Sequence, residues 1–311
     1  MTCFRLFLKQ LFSPTLVFIL FSAAPMAEAQ VLFVSPSQAY AQAVQIEKEV
    51  NLLLEYHNIS ERSKPGAFKA VLLPRHVYEK AYVILTKIQI LRQRNGFSRF
   101  TIISLEPKMS VDSELVYEQT QRILTEFRII KARIGLTSQI SPPQNYSGKK
   151  PIDVFNKLHQ ISLNIELLNQ EPIVPNHVFA VVMKINEDVD VILQHLLIDD
   201  QTFPPAKNTD AKSADVLTAV FKAMAEIQRL QRQAGIVRTD FSTFQKNKGA
   251  LPSDVFNMVG MVFAELQTIK ANMEIKSIAA PATRFEGKTR ADVQQLVRWI
   301  SRKLQLIQQF R

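Results

Sequence analysis

Counting forward from Ala39, Val77, Val116, Val154, Val178, Val216, Val255 and Val293, the residues at offsets 0, 4, 7, 11 and 14 are apolar at 39 of 40 positions, with Thr120 the exception. Alternating steps of four and three average 3.5 residues, the seam spacing of helices that pack side by side with interdigitating side chains. The pattern predicts an all-α protein of eight helices of about 20 residues each. They are expected at about 36–57, 75–95, 112–134, 151–170, 175–195, 213–234, 252–273 and 290–310, with ends uncertain by two to four residues.

The eight seam starts are separated by 38, 39, 38, 24, 38, 39 and 38 positions, so the first three intervals recur as the last three. Shifting the chain by 139 residues lays Pro65 on Pro204, Gln89 on Gln228, Gly96 on Gly235 and Ile130-Lys131-Ala132 on Ile269-Lys270-Ala271. Loop residues match as well as helix residues, which periodicity alone would not produce, so the pattern reads as an internal duplication. The expected organisation is a segment 1–29, then two tandem four-helix modules at 30–173 and 174–311. Each module holds about 20 seam residues, enough apolar burial for it to fold alone.

Pro36, Pro74, Pro151, Pro175 and Pro252 each stand three residues before a seam start, at the first helical position, where the missing N–H costs nothing. The third helical position carries Gln38, His76, Asp153, His177, Asp215, Asp254 and Asp292. His and Asp there suggest a metal site, but local capping of the helix start is the better reading, because a carboxylate at that place accepts backbone N–H groups and meets a favourable dipole. Within a module the helices are joined by roughly 16 residues, far above the usual helix-to-helix link of about 2–8. A chain that long, laid extended over the bundle, returns to the starting end and makes neighbouring helices parallel. Antiparallel packing, the common bundle topology, is nonetheless the first expectation.

The first 29 residues read as an export signal. Arg5 and Lys9 precede a mostly apolar run from Leu11 to Ala24, and Ala27-Glu28-Ala29 supplies small residues for cleavage after Ala29. The apolar run contains Ser13, Pro14 and Ser22 and falls short of the roughly 20 apolar residues of a spanning helix. Cleavage would remove Cys3, the only cysteine, leaving no disulfide, thiolate metal site or Cys nucleophile. A cysteine-free exported chain fits the periplasm or the medium. The mature chain would keep 36 basic against 27 acidic residues, a balance of +9 spread over both modules.

Chemistry-bearing motifs are sparse. No G-x-x-x-x-G-K, G-x-G-x-x-G or G-x-S-x-G run occurs, and His57, His159 and His195 belong to no spaced ligand motif. Met183, Met224, Met258, Met261 and Met273 read as core filler rather than haem ligands. Glu126 and Glu265, which coincide under the shift, flank the seam and are expected in solvent. No catalytic, metal or cofactor residues are assigned. An aromatic residue follows the seam start in six helices, at Tyr40, Tyr78, Tyr117, Phe155, Phe179 and Phe256. These six and Thr120, the polar residue inside the seam, are the candidate partner or ligand contacts.

The expected function is that of a non-enzymatic interaction or scaffold protein presenting a basic exterior to an anionic polymer, lipid head groups or another envelope protein. The alternative is a periplasmic small-molecule binder resembling the four-helix sensory modules of bacterial receptors, with a pocket between helices near the bundle ends.

Overall fold

The computed structural model describes residues 34–170, 173–245 and 250–308, so the expected export signal lies outside the described residues. Those residues are all-helical, with no strand among them. The helices are α1 (Pro36–Tyr56), α2 (Pro74–Arg94), α3 (Ser113–Arg133), α4 (Pro151–Asn169), α5 (Pro175–His195), α6 (Ser213–Gln233), α7 (Ser242–Gln245), α8 (Pro252–Asn272) and α9 (Arg290–Leu306). Eight match the expected stripes; the four-residue α7, which carries no stripe, was not foreseen. All five prolines sit in the first turn of their helices. The seam is the core: none of the 40 stripe positions is more than 3 % exposed, Thr120 included.

Helix α1 neighbours α3 and α4, and α2 neighbours the same two, so helices consecutive in sequence face each other across a diagonal. The second set repeats the ring, with α5 and α6 each flanked by α8 and α9. Within each ring the helices run parallel, which corrects the antiparallel expectation. Pro175, Ser213, Pro252 and Arg290, the first residues of α5, α6, α8 and α9, meet at one end, around a small space walled by Val178, Val216, Val255 and Val293. The layers below are in register, with Val182, Val220, Val259 and Val297 sharing one level. In the first ring, Gln42 donates to the Tyr117 hydroxyl near the helix starts, and Lys131 Nζ lies 2.6 Å from Glu49 Oε2 in the second halves. The physical reason is the connector length: each long connector carries the chain back the full length of a helix before the next begins.

The link from α4 to α5 is short, and the direction reverses there. Helix α2 packs on α8 with opposite sense: Arg75 at the start of α2 meets Glu265 late in α8, and Lys80 reaches Asn257 one turn into α8. The described residues form one compact unit. A parallel bundle puts four like dipole ends together, and two such bundles in opposite sense bring ends of opposite sign side by side. The helix starts are further relieved locally, because all seven third-position side chains accept the backbone N–H three residues earlier, His76 Nδ1 from Leu73 at 2.9 Å among them. Capping accounts for these residues, as the sequence suggested.

Candidate functional site

The structure scatters the sequence-derived site residues. Tyr40 packs edge-on to Tyr146 with the Lys149 ammonium 4.6 Å from its ring centre, and Phe179 repeats this with Phe285 and Lys288. The hydroxyls of Tyr78 and Tyr117 accept hydrogen bonds from Gln119 and Gln42. Phe155 lies among Phe68, His159 and Phe244, and Phe256 is buried. Thr120 Oγ1 donates to the Tyr117 carbonyl at 2.7 Å, so this seam hydroxyl is spent on its own helix. Small spaces inside the second ring measure about 20 and 10 Å³, room for a water at most.

Two other features stand out. The first is a set of ionisable groups buried where α2 meets α8 and α4. His76 Nδ1 is an acceptor, so its proton sits on Nε2, which donates to Glu265 Oε1 at 2.5 Å. Arg75 grips the same carboxylate with contacts of 3.0 to 3.1 Å, and Gln231 donates to its other oxygen. Glu265 is fully buried, contrary to the solvated position expected from sequence, because α2 covers this face of α8. Burial alone would raise its pKa, but the His76 hydrogen bond and the charge of Arg75 outweigh it and hold the carboxyl below its ordinary range. Desolvation pushes His76 the other way from an ion, keeping the imidazole neutral.

One turn along, Lys80 Nζ donates to Asn257 Oδ1 at 2.7 Å and lies 3.4 Å from His159 Nδ1. Burial, then the nearby Lys87 charge, lowers the Lys80 pKa far below the ordinary lysine range, and burial with Lys80 beside it takes His159 down to about 2. Lys87 is matched by Glu166 at 2.5 Å and by the Ser162 hydroxyl at 2.6 Å. Every one of these groups is engaged with another. They form a zipper along the joint where the two rings meet. Among the described residues no three His, Cys, Asp or Glu side chains gather as metal ligands.

The second feature is an open cleft of about 500 Å³ beside this zipper. One wall is the face of α2 bearing Tyr82, Thr86, Gln89, Ile90 and Gln93; another is the start of α5; the remaining sides are the connectors through Arg99–Ile102 and Pro281–Glu286. Ile90, Ile102, Ala180 and Val181 make a nearly buried apolar floor, while Gln93, Arg99 and Arg284 stand exposed at the rim. The walls are tied down. Gln89 Nε2 donates to the Phe100 carbonyl at 2.6 Å, the Lys288 N–H donates to Asn176 Oδ1 at 2.7 Å, and Phe285 packs edge-on to Phe179.

The chain matches no known family, curated protein or solved structure. Its function therefore rests on the geometry alone. None of the seven candidate contacts lines the cleft; of these, only Phe179 reaches it, through Phe285. The signal that sequence reading passed over is asymmetry between the copies. Under the 139-residue shift, Phe100 corresponds to Thr239 and Arg284 to Asn145, so one of the cleft's aromatic rings and one of its rim cations have no counterpart in the other copy.

Proposed function

We propose that the protein is an exported, non-enzymatic interaction protein that offers a basic exterior to an anionic partner. The observation that carries this reading is how its charges are shared out. The buried cations have partners, whereas Lys64, Lys69, Arg99, Arg133, Lys222 and Arg232 are exposed and pair with no acid among the described residues. A solvent-facing surplus of this sign attracts anions at long range and is screened by salt. Arg75, His76 and Glu265, and Lys87 and Glu166, are engaged with one another inside the molecule, which leaves the exposed cations as the charges open to a partner. Among the described residues no helix is long and apolar enough to cross a membrane.

Binding of the full-length protein to dextran sulfate over a salt series tests the reading. Affinity is expected to fall steeply between about 50 and 200 mM salt, given a Debye length that shrinks from roughly 14 to 7 Å over that range. Indifference to salt, or no binding at the lowest salt, would overturn it. Mass spectrometry of the exported protein tests the other half, with Gln30 expected as the first residue.

A further inference from the structure

We propose that the cleft between the two rings is a binding site for a small amphipathic organic anion, its apolar body on the Ile90, Ile102 and Val181 floor and its carboxylate or phosphate at Arg99 and Arg284. The proposal deepens the reading above and rests on it only for the sign of the ligand's charge.

Three observations support a ligand rather than a mere gap. The first is size: about 500 Å³ falls within the range of small-molecule sites, whereas the spaces inside the second ring have room for single waters. The second is the vertical division of chemistry, with a nearly buried apolar floor and an exposed cationic rim, which suits a molecule having one greasy and one charged end. Such walls are held by hydrogen bonds that do not involve the space itself, so the site is formed in advance and ordering costs on binding are small.

The third observation comes from the duplication. The connector Pro281–Glu286 borders the cleft, and its twin at 142–147 belongs to the other ring's corresponding connector. The twin carries Asn145 and Ser147 where the cleft carries Arg284 and Glu286. Likewise Phe100, whose ring faces the guanidinium groups of Arg92 and Arg122 at 5.4 and 5.0 Å, replaces the threonine of its twin position. Charge and ring were placed where the two rings enclose space.

Glu286 is the one group at the rim that opposes an anion. It pairs with Arg284 at 2.9 Å, but both side chains are largely exposed, and such a pair is exchanged for a ligand carboxylate at little cost. Arg99 makes no hydrogen bond or ion pair among the described residues and is ready for an incoming oxygen.

The test uses the full-length protein and 8-anilinonaphthalene-1-sulfonate, a fluorescent amphipathic anion, with dodecanoate, dodecanol, inorganic phosphate and phosphatidylglycerol vesicles as competitors. One saturable site is expected, from which dodecanoate displaces the probe while dodecanol and phosphate do so poorly. The Arg99→Gln/Arg284→Gln double variant should weaken binding about tenfold or more, the worth of one charge-assisted hydrogen bond. Glu286→Gln should tighten it, and Ala180→Trp, which fills the floor, should abolish it with helical circular dichroism retained. Should the tryptophan prevent folding, the exposed arginine pair still carries the test.

Absence of a saturable site, equal competition by phosphate or dodecanol, displacement by vesicles alone, or unchanged affinity in the double variant would each overturn the proposal. Dextran sulfate separates the two readings. Retained polymer binding with a silent cleft leaves the basic-surface reading standing, and a filled cleft without polymer binding leaves only the cleft.

Discussion

Helices α3 and α8 hold the same slot in their rings, and the 139-residue shift lays Glu126 on Glu265, yet the two acids live in different worlds. Glu126 is partly exposed and pairs with Arg92 at 2.6 Å near the surface. Its counterpart is fully buried beneath α2 and is held by Arg75, His76 and Gln231. The seam sides of the two helices are alike; the outer sides have diverged. Where α3 shows Glu118, Gln121, Arg122 and Thr125, α8 shows Asn257, Gly260, Met261 and Ala264. The receiving helix has changed as well: Arg75, His76 and Lys80 of α2 stand where α6 has Ala214, Asp215 and Ala219. The two copies of each surface differ: the faces of α2 and α8 match each other at the joint, and the corresponding faces of α6 and α3 carry other residues.

The broadest way to break the comparison is to unfold one ring and ask what the other does. Val50 and Val189 are equivalent and both fully buried, and an unpaired carboxyl there removes a large share of the roughly 5–15 kcal/mol that holds a domain together. With Val189→Asp, the outer face of α2 is laid bare, but it carries Arg75, His76 and Lys80, which water can accept. The first ring should then keep slow hydrogen exchange. With Val50→Asp, the small and apolar face of α8 is exposed, and the second ring should aggregate. Equal outcomes for the two variants would show that the joint is not asymmetric.

A narrower test compares the two acids. Glu265→Ala leaves Arg75 buried without its partner and should cost about 3–5 kcal/mol in urea unfolding, whereas Glu126→Ala should cost about 1 kcal/mol or less. Similar costs would mean that the burial of Glu265 contributes nothing special to the joint.

How much of this was visible in the sequence follows from what each feature depends on. The stripe through Val178, Val182, Ile185, Val189 and Ile192 depends on one helix alone, and prolines and capping residues mark its start, so helix positions could be read to within a residue, except that α9 ends at Leu306, four residues before the expected 310. Helix direction depends on the connectors, and their length did point to parallel packing; the commonness of antiparallel bundles outweighed it. The burial of Glu265 depends on which faces meet, and that is written only in differences between the copies, such as Gly260 for Gln121. The cleft was furthest from view because Arg99 and Arg284 lie in connectors of different rings. The aromatic residues at the helix starts drew attention by regularity, but regular features serve the repeated architecture. Departures from the repeat mark what is particular to the joint.

Lys80 offers a test in the opposite direction, since its counterpart is Ala219. A lysine whose pKa is depressed in the folded protein binds fewer protons there than in the unfolded chain, so stability rises with pH from the folded pKa up to the ordinary value near 10.5. Burial also lowers Lys87 and Lys184, with the same sign. Thermal melts should therefore rise between pH 7 and 10. Above that they should fall, because Tyr78 and Tyr82 are held protonated by burial while the unfolded chain ionises. Lys80→Met should raise stability at pH 7 by about 1–3 kcal/mol and flatten the climb, since a well-packed apolar group replaces a buried amine. A melt that falls from pH 7 to 10 would show that these lysines stay charged inside.

The smallest expected effect concerns a helix end that the two rings finish differently. Gly135 closes α3 with φ of 74°, and Glu274 closes α8 in the same left-handed conformation at 58°. An L-residue with a Cβ in this region costs roughly 1–2 kcal/mol, part of which is offset because glycine loses more freedom on folding. Glu274→Gly should therefore stabilise by about 0.5–1 kcal/mol, and Gly135→Glu should destabilise by a similar amount. Both positions are exposed and lie beyond the last turn, so neither change touches the joint or the cleft. If the substitutions prove unequal, something at the end of α8 rewards the glutamate, and the difference between the rings extends beyond the faces that meet.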